Sequence, residues 1–171
     1  DFDYVRVARA RTLSWAGRLD EAGTAYARLL AADPSNRDAR YGLAQVRAWG
    51  GDLDGAAAGY GTLLESDPTE LRALVGLGNV RLWQQRFADA RALAERATAR
   101  DSANGEVRDL RRAVRAATAP RVEASHDWSE DTERNTNRWQ RVTLRTTTRG
   151  GLRASAAVAT LHATDPVRAS R

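Results

Sequence analysis

Apolar residues recur at three- and four-residue steps through the first two thirds of the chain, the spacing that gives a helix one buried stripe. The pattern predicts helices near 4–16, 20–32, 38–49, 54–66, 72–83 and 88–100. A seventh is expected over 105–118, with Val107, Leu110, Val114 and Ala117 as its apolar stripe and Arg108, Arg111, Arg112 and Arg115 opposite. At Ala119-Pro120 the period changes to two. From Arg121 to Trp128, one face holds Val122, Ala124, His126 and Trp128, and the other Arg121, Glu123, Ser125 and Asp127, which predicts a strand. Alternation returns over Gln140–Arg149, with Val142 and Leu144 opposite Arg141, Thr143, Arg145, Thr147 and Arg149. A third strand of small and apolar residues is expected over Leu152–Ala163, its faces ambiguous. Polar Ser129–Asn137 reads as a loop and Gly150-Gly151 as a tight turn.

The helical part repeats itself every 34 residues. Trp15, Trp49 and Trp83 stand in one column, and Ala22, Ala56 and Ala90 in another. Leu19, Leu53 and Phe87 form a third column, and Leu29, Leu63 and Ala97 a fourth. Tyr26 pairs with Tyr60 and Gly17 with Gly51; Asp33-Pro34 recurs as Asp67-Pro68 and decays to Asp101-Ser102. This period and these residue types resemble the tetratricopeptide repeat. Small residues at Ala10, Ala44 and Gly78 and at the Ala22 column suit close helix approach. Gly17 and Gly51 suit a turn of positive φ, and proline ends the second helix of a repeat. The repeats span 3–36, 37–70 and 71–104, and the helix over 105–118 has the form of a cap with a polar outer face.

Resemblance to tetratricopeptide arrays implies that first helices stack along a concave groove. The groove-facing candidates are Tyr4, Val7, Arg11, Ser14 and Trp15 in repeat one, and Asp38, Tyr41, Gln45, Ala48 and Trp49 in repeat two. Arg72, Val75, Asn79, Leu82 and Trp83 complete the set in repeat three. The tryptophan column has two readings. In the first, which aromatic residues at helical spacing favour, each indole packs on its own second helix and on the neighbouring repeat. In the second, the indoles form a ladder in the groove, beside Arg11, Gln45 and Asn79, for a peptide or a sugar chain.

Composition narrows the function classes. Cysteine is absent, which excludes disulfides, thiolate metal sites and cysteine nucleophiles. The net charge is +5 and every basic residue is arginine. Residues 1–104 hold 14 Arg against 14 acids, so no basic stripe for nucleic acid runs along the repeats. His126 and His162 have no partners at catalytic or metal-ligating spacing, no phosphate loop is present, and neither an enzyme nor a cofactor is expected. Asp127, Glu130, Asp131 and Glu133 read as a solvated loop and not as a calcium loop. No apolar run reaches the length of a transmembrane helix, and no signal peptide is read at the start.

The sequence thus divides into an all-α tetratricopeptide superhelix of three repeats plus a capping helix (1–118) and an antiparallel β region (119–171). With Trp15-Ala16-Gly17 and Ala48-Trp49-Gly50-Gly51 before the turns, then proline and alternating strands, this layout resembles the YaiO-like outer-membrane β-barrel family. It is also similar to the cellulose and exopolysaccharide export porins. The resemblance implies a non-catalytic, periplasmic binding scaffold ahead of a barrel, in envelope assembly or polysaccharide export. A protein or glycan chain would lie in the groove, and the strands would enter the outer membrane. Three strands cannot close a barrel, so the chain reads as a fragment cut at both ends. The alternatives are a cytoplasmic protein–protein adaptor with a β-like or disordered tail, and a repeat accessory to a catalytic domain beyond Arg171.

Overall fold

A computed structural model of the chain describes residues 2–130, 136–147 and 153–164. The chain divides into two compact units, Asp1–Ala117 and Thr118–Arg171.

The first unit is a superhelix of seven helices: α1 (Phe2–Trp15), α2 (Leu19–Ala32), α3 (Arg37–Trp49), α4 (Leu53–Ser66), α5 (Leu71–Trp83), α6 (Phe87–Arg100) and α7 (Gly105–Thr118). Each starts and ends within two residues of its expected bounds. The 34-residue columns explain how they pack. Ala22, Ala56 and Ala90 are fully buried, as is Ala10, while Ala44 is 1% exposed. Gly78 is small for a definite reason: a Cβ there would stand 2.6 Å from a methyl of Leu110, which α7 inserts against α5. Leu63, Leu74, Val80, Val107 and Leu110 fill the interior. Fully burying such a side chain stabilises by roughly 1.5–3 kcal/mol. The apolar stripe of α7 is buried at Val107, Leu110 and Val114 and half-buried at Ala117.

The turns repeat their chemistry. Gly17 and Gly51 take φ of 74° and 88° after the first helices, as the glycine spacing predicts. Gln85 occupies the third such position at φ 60° without the glycine. Second helices end at Asp33, Asp67 and Asp101 in extended backbone. The Asp33 carboxylate accepts from the Ser35 amide and hydroxyl, and Asp67 from those of Thr69. Asp101 accepts from the Ala103 and Asn104 amides. These hydrogen bonds hold both carboxyls, Asp33 and Asp67, below the usual carboxylate range. Where the sequence supplies a short polar residue before a helix, the side chain caps it. Asn36 accepts from the Ala39 amide and Asp52 from the Gly55 amide. Asn104 accepts from the Glu106 and Val107 amides.

The second unit is an antiparallel sheet in the order β1 (Arg121–Glu130), β2 (Thr136–Thr147), β3 (Arg153–Thr164), open at both edges. Val122 faces Leu144, which faces Ala156; Ala124 faces Val142, which faces Val158. Register therefore resolves the faces of β3: Ala156, Val158, Thr160 and His162 join the apolar face of β1 and β2. Arg121, Glu123, Arg141, Arg145 and Arg153 share the other face, where Arg145 pairs with Glu123 at 3.0 Å. Two expectations are corrected. Ser129–Asn137 is not all loop, because Ser129 pairs with Asn137 and Glu130 with Thr136, which extends both strands. Asp127 and Glu130 lie in β1 and not in a loop. Asp131, Glu133, Arg149, Gly150-Gly151 and Leu152 lie outside the described residues.

Candidate functional site

The first helices of successive repeats, α3 and α5, run on to α7, and the three enclose a recess of about 350 Å³. Tyr41, Gln45, Ala48 and Trp49 of α3 line it, with Val75, Gly76, Asn79 and Trp83 of α5. Tyr60 of α4 forms its floor, and α7 contributes Glu106, Asp109, Leu110 and Ala113.

The two tyrosines of this lining are packed together. The Tyr41 and Tyr60 rings meet edge to face at 5.6 Å between centroids. The Arg72 guanidinium stands 3.9 Å from the Tyr41 ring centroid and donates from Nη1 to Asp38 Oδ1 at 3.2 Å. Burial pushes the Tyr41 and Tyr60 hydroxyls above the ordinary phenol value, so both stay protonated at any physiological pH.

The tryptophan column departs from the packing reading. Trp15 is 72% exposed, Trp49 44% and Trp83 52%. The reason is the helix junction beside them. Leu19, Leu53 and Phe87 at the starts of the second helices, with the alanine columns, already fill the space between each helix pair.

The other groove candidates separate in the structure. Tyr41, Gln45, Trp49, Asn79 and Trp83 come together in the recess, with Ala48 and Val75. Asp38 and Arg72 pair beside it. Tyr4 and Trp15 are exposed on α1, and Arg11 is half-buried there, none of them on the recess lining. Val7 is buried in the core, and Ser14 is buried with its hydroxyl donating to the Ala10 carbonyl. Leu82 packs against the buried residues of α6 and α7.

Six lining residues were not among the groove candidates: Tyr60, Gly76, Glu106, Asp109, Leu110 and Ala113. The period holds the missing signal. Asp38, Arg72 and Glu106 are 34 apart, as are Tyr41, Val75 and Asp109, and Gln45, Asn79 and Ala113. The helix read only as a cap thus continues the first-helix series and walls the groove. Among the described residues no group of His, Asp and Glu is placed to hold a metal ion.

Comparison with known proteins agrees with this fold. The tetratricopeptide repeat family model matches residues 15–69 and 50–114, more than half of the chain. The chain belongs to the tetratricopeptide repeat family, whose fold is a non-catalytic interaction scaffold. No curated protein matches it. Among solved structures it is similar to the first tetratricopeptide domain of Spaghetti (RPAP3) bound to the HSP90 peptide SRMEEVD. That match has 21% identity and a TM-score of 0.60, covering 67% of this chain and 91% of that one. A tetratricopeptide protein of Thermus thermophilus matches at 21% identity and TM-score 0.63, covering 67% and 64%. The second-B domain of yeast Sti1, in complex with pHsp70, matches at 18% identity and TM-score 0.58, covering 66% and 96%.

Proposed function

We propose that this chain is a binding scaffold whose groove between α3, α5 and α7 takes an extended protein segment. The observation that carries the reading is the exposure of Trp49 and Trp83 on the lining of a concave recess. Rigid aromatic side chains in such a place are the usual anchors of an interface. Gln45 and Asn79 line the same recess one helical turn before Trp49 and Trp83 and offer donors and acceptors to a backbone. Two solved relatives are peptide or chaperone complexes by name, which supports the class of ligand. A glycan strand is the competing occupant, since indoles and amides also suit sugars. Binding of the chain and of its Trp49→Ala/Trp83→Ala variant to immobilised peptide and oligosaccharide arrays separates the two. Binding that the variant retains in full on both arrays defeats the groove reading.

A second observation concerns the sheet. Val122, Ala124, Val142, Leu144, Ala156 and Val158 form one continuous apolar patch, with Val122 and Val158 about 70% exposed; the same face continues into His126, Gln140 and Arg138, and the opposite face carries most of the arginines together with Trp139 and Leu161. Strands of 10 and 12 residues suffice to span a bilayer when tilted. No helix among the described residues is long and apolar enough to do so. We infer that the apolar face meets lipid and that further strands on the two open edges close an outer-membrane barrel. The repeats are then periplasmic, in envelope assembly or polysaccharide export, as the YaiO-like layout implies. Membrane fractionation of the full-length gene product tests this; recovery in the cytosol leaves the adaptor reading in its place.

A further inference from the structure

We propose that the recess selects a basic protein segment, seating an arginine or lysine side chain against Trp49 and Trp83 with Glu106 and Asp109 facing it. The proposal deepens the groove reading and rests on it. The lining holds two indoles, two phenol rings, two amides and two carboxylates, and no cation. Arg72 is held at the edge of the recess by two contacts, the Tyr41 ring at 3.9 Å and Asp38 at 3.2 Å, and is not part of the lining. Glu106 makes no ion pair among the described residues. Among the described residues Asp109 pairs only with Arg112, at 3.3 Å, and both side chains are more than 70% exposed. Such a pair is water-screened and exchanges readily for another cation. A guanidinium or ammonium entering the recess meets indole faces and carboxylates together, the two environments that attract a desolvating cation. An acidic segment meets only repulsion there. The whole chain carries +5, so unspecific attraction runs the opposite way, toward acidic ligands. A preference for a basic peptide is therefore a property of the recess.

The test is a titration of the whole chain at low salt, read by calorimetry and indole fluorescence. The probes are the heptapeptide Ser-Leu-Arg-Leu-Arg-Leu-Ser, its counterpart with glutamate at both arginines, the acidic peptide SRMEEVD, and cellopentaose. The basic peptide is expected to bind roughly tenfold or more tighter than the acidic ones, to weaken with added salt and to quench indole emission. In the Glu106→Gln/Asp109→Asn variant that preference disappears. Both side chains are exposed, so the variant keeps its melting temperature and its folding is checked directly. Equal affinity for basic and acidic peptides overturns the charge selection and leaves the groove reading standing. Binding of cellopentaose alone replaces a protein segment by a glycan. Binding of none of the four overturns both readings.

Discussion

The ring of Tyr60 lies directly on the backbone of Gly76: a Cβ at that glycine would stand 2.5 Å from Tyr60 Cζ. Tyr26 and Gly42 repeat the arrangement one unit earlier. Tyr60 is 2% exposed and is wedged against Tyr41, so it has nowhere to retreat. Gly76→Ala is expected to destabilise by about 1–3 kcal/mol through overpacking. The control is Gly61→Ala in α4, where a Cβ meets nothing within 4 Å and helix propensity gains up to about 1 kcal/mol. Thermal melts followed by circular dichroism compare the two; equal melting temperatures contradict the tyrosine–glycine contact.

Gln85 carries the strain that glycine relieves in the first two repeats. At φ 60° a residue with a Cβ sits about 1–2 kcal/mol above a glycine. Gln85→Gly is expected to raise stability by about 1 kcal/mol, and Gly51→Gln to lower it by a similar amount. Urea midpoints of the two variants decide it, and a Gln85→Gly midpoint below that of the parent refutes it.

Asp33 and Asp67 give the fold an acid-sensitive edge. Both carboxyls are held below their ordinary value of 3.8, Asp33 by the Ser35 hydroxyl and then its amide, Asp67 by the Thr69 amide and then its hydroxyl. A carboxyl with a lower pKa in the folded chain stabilises fully above the unfolded value. That contribution is lost as pH falls through the folded value. The melting-temperature gap between the parent and Asp33→Ala/Asp67→Ala is therefore expected to be largest at neutral pH and to shrink below about pH 4. A gap that is unchanged down to pH 2 counts against it.

Trp83 and Leu74 lie on the same helix and are expected to differ sharply. Leu74 is 1% exposed, and Leu74→Ala is predicted to remove about 2–5 kcal/mol. Trp83, half exposed, is predicted to give up less than about 1 kcal/mol as Trp83→Ala while losing ligand affinity. Denaturation of both variants beside a binding titration separates a core residue from an anchor.

The helical unit was almost wholly legible because its columns state their own geometry. The Ala22 column had to be thin, Gly17 and Gly51 had to turn, and Asp-Pro had to stop a helix, and each does so. Exposure of the indoles was not legible. A residue at the end of an amphipathic helix reads as core until its neighbours are known, and at these junctions Leu53 and Phe87 are the residues that pack inward. The wall formed by Glu106 and Asp109 was hidden because the arginines of α7 drew the reading toward a solvated face. Continuing the Asp38–Arg72 column by one more period would have placed it. In the strands, alternation gave the faces of β1 and β2. The small residues of β3 carry no alternation, so only pairing with β2 settled theirs.

The column that runs Asp38, Arg72, Glu106 reverses its sign at every step. Asp38 and Arg72 engage each other across two repeats at 3.2 Å, so among the described residues Glu106 alone of the three makes no ion pair. In the proposed groove that carboxylate stands at one end of the column, and a bound segment that slips by one unit would leave it behind. The column would therefore favour a single frame over the sliding that a uniformly repeating surface permits.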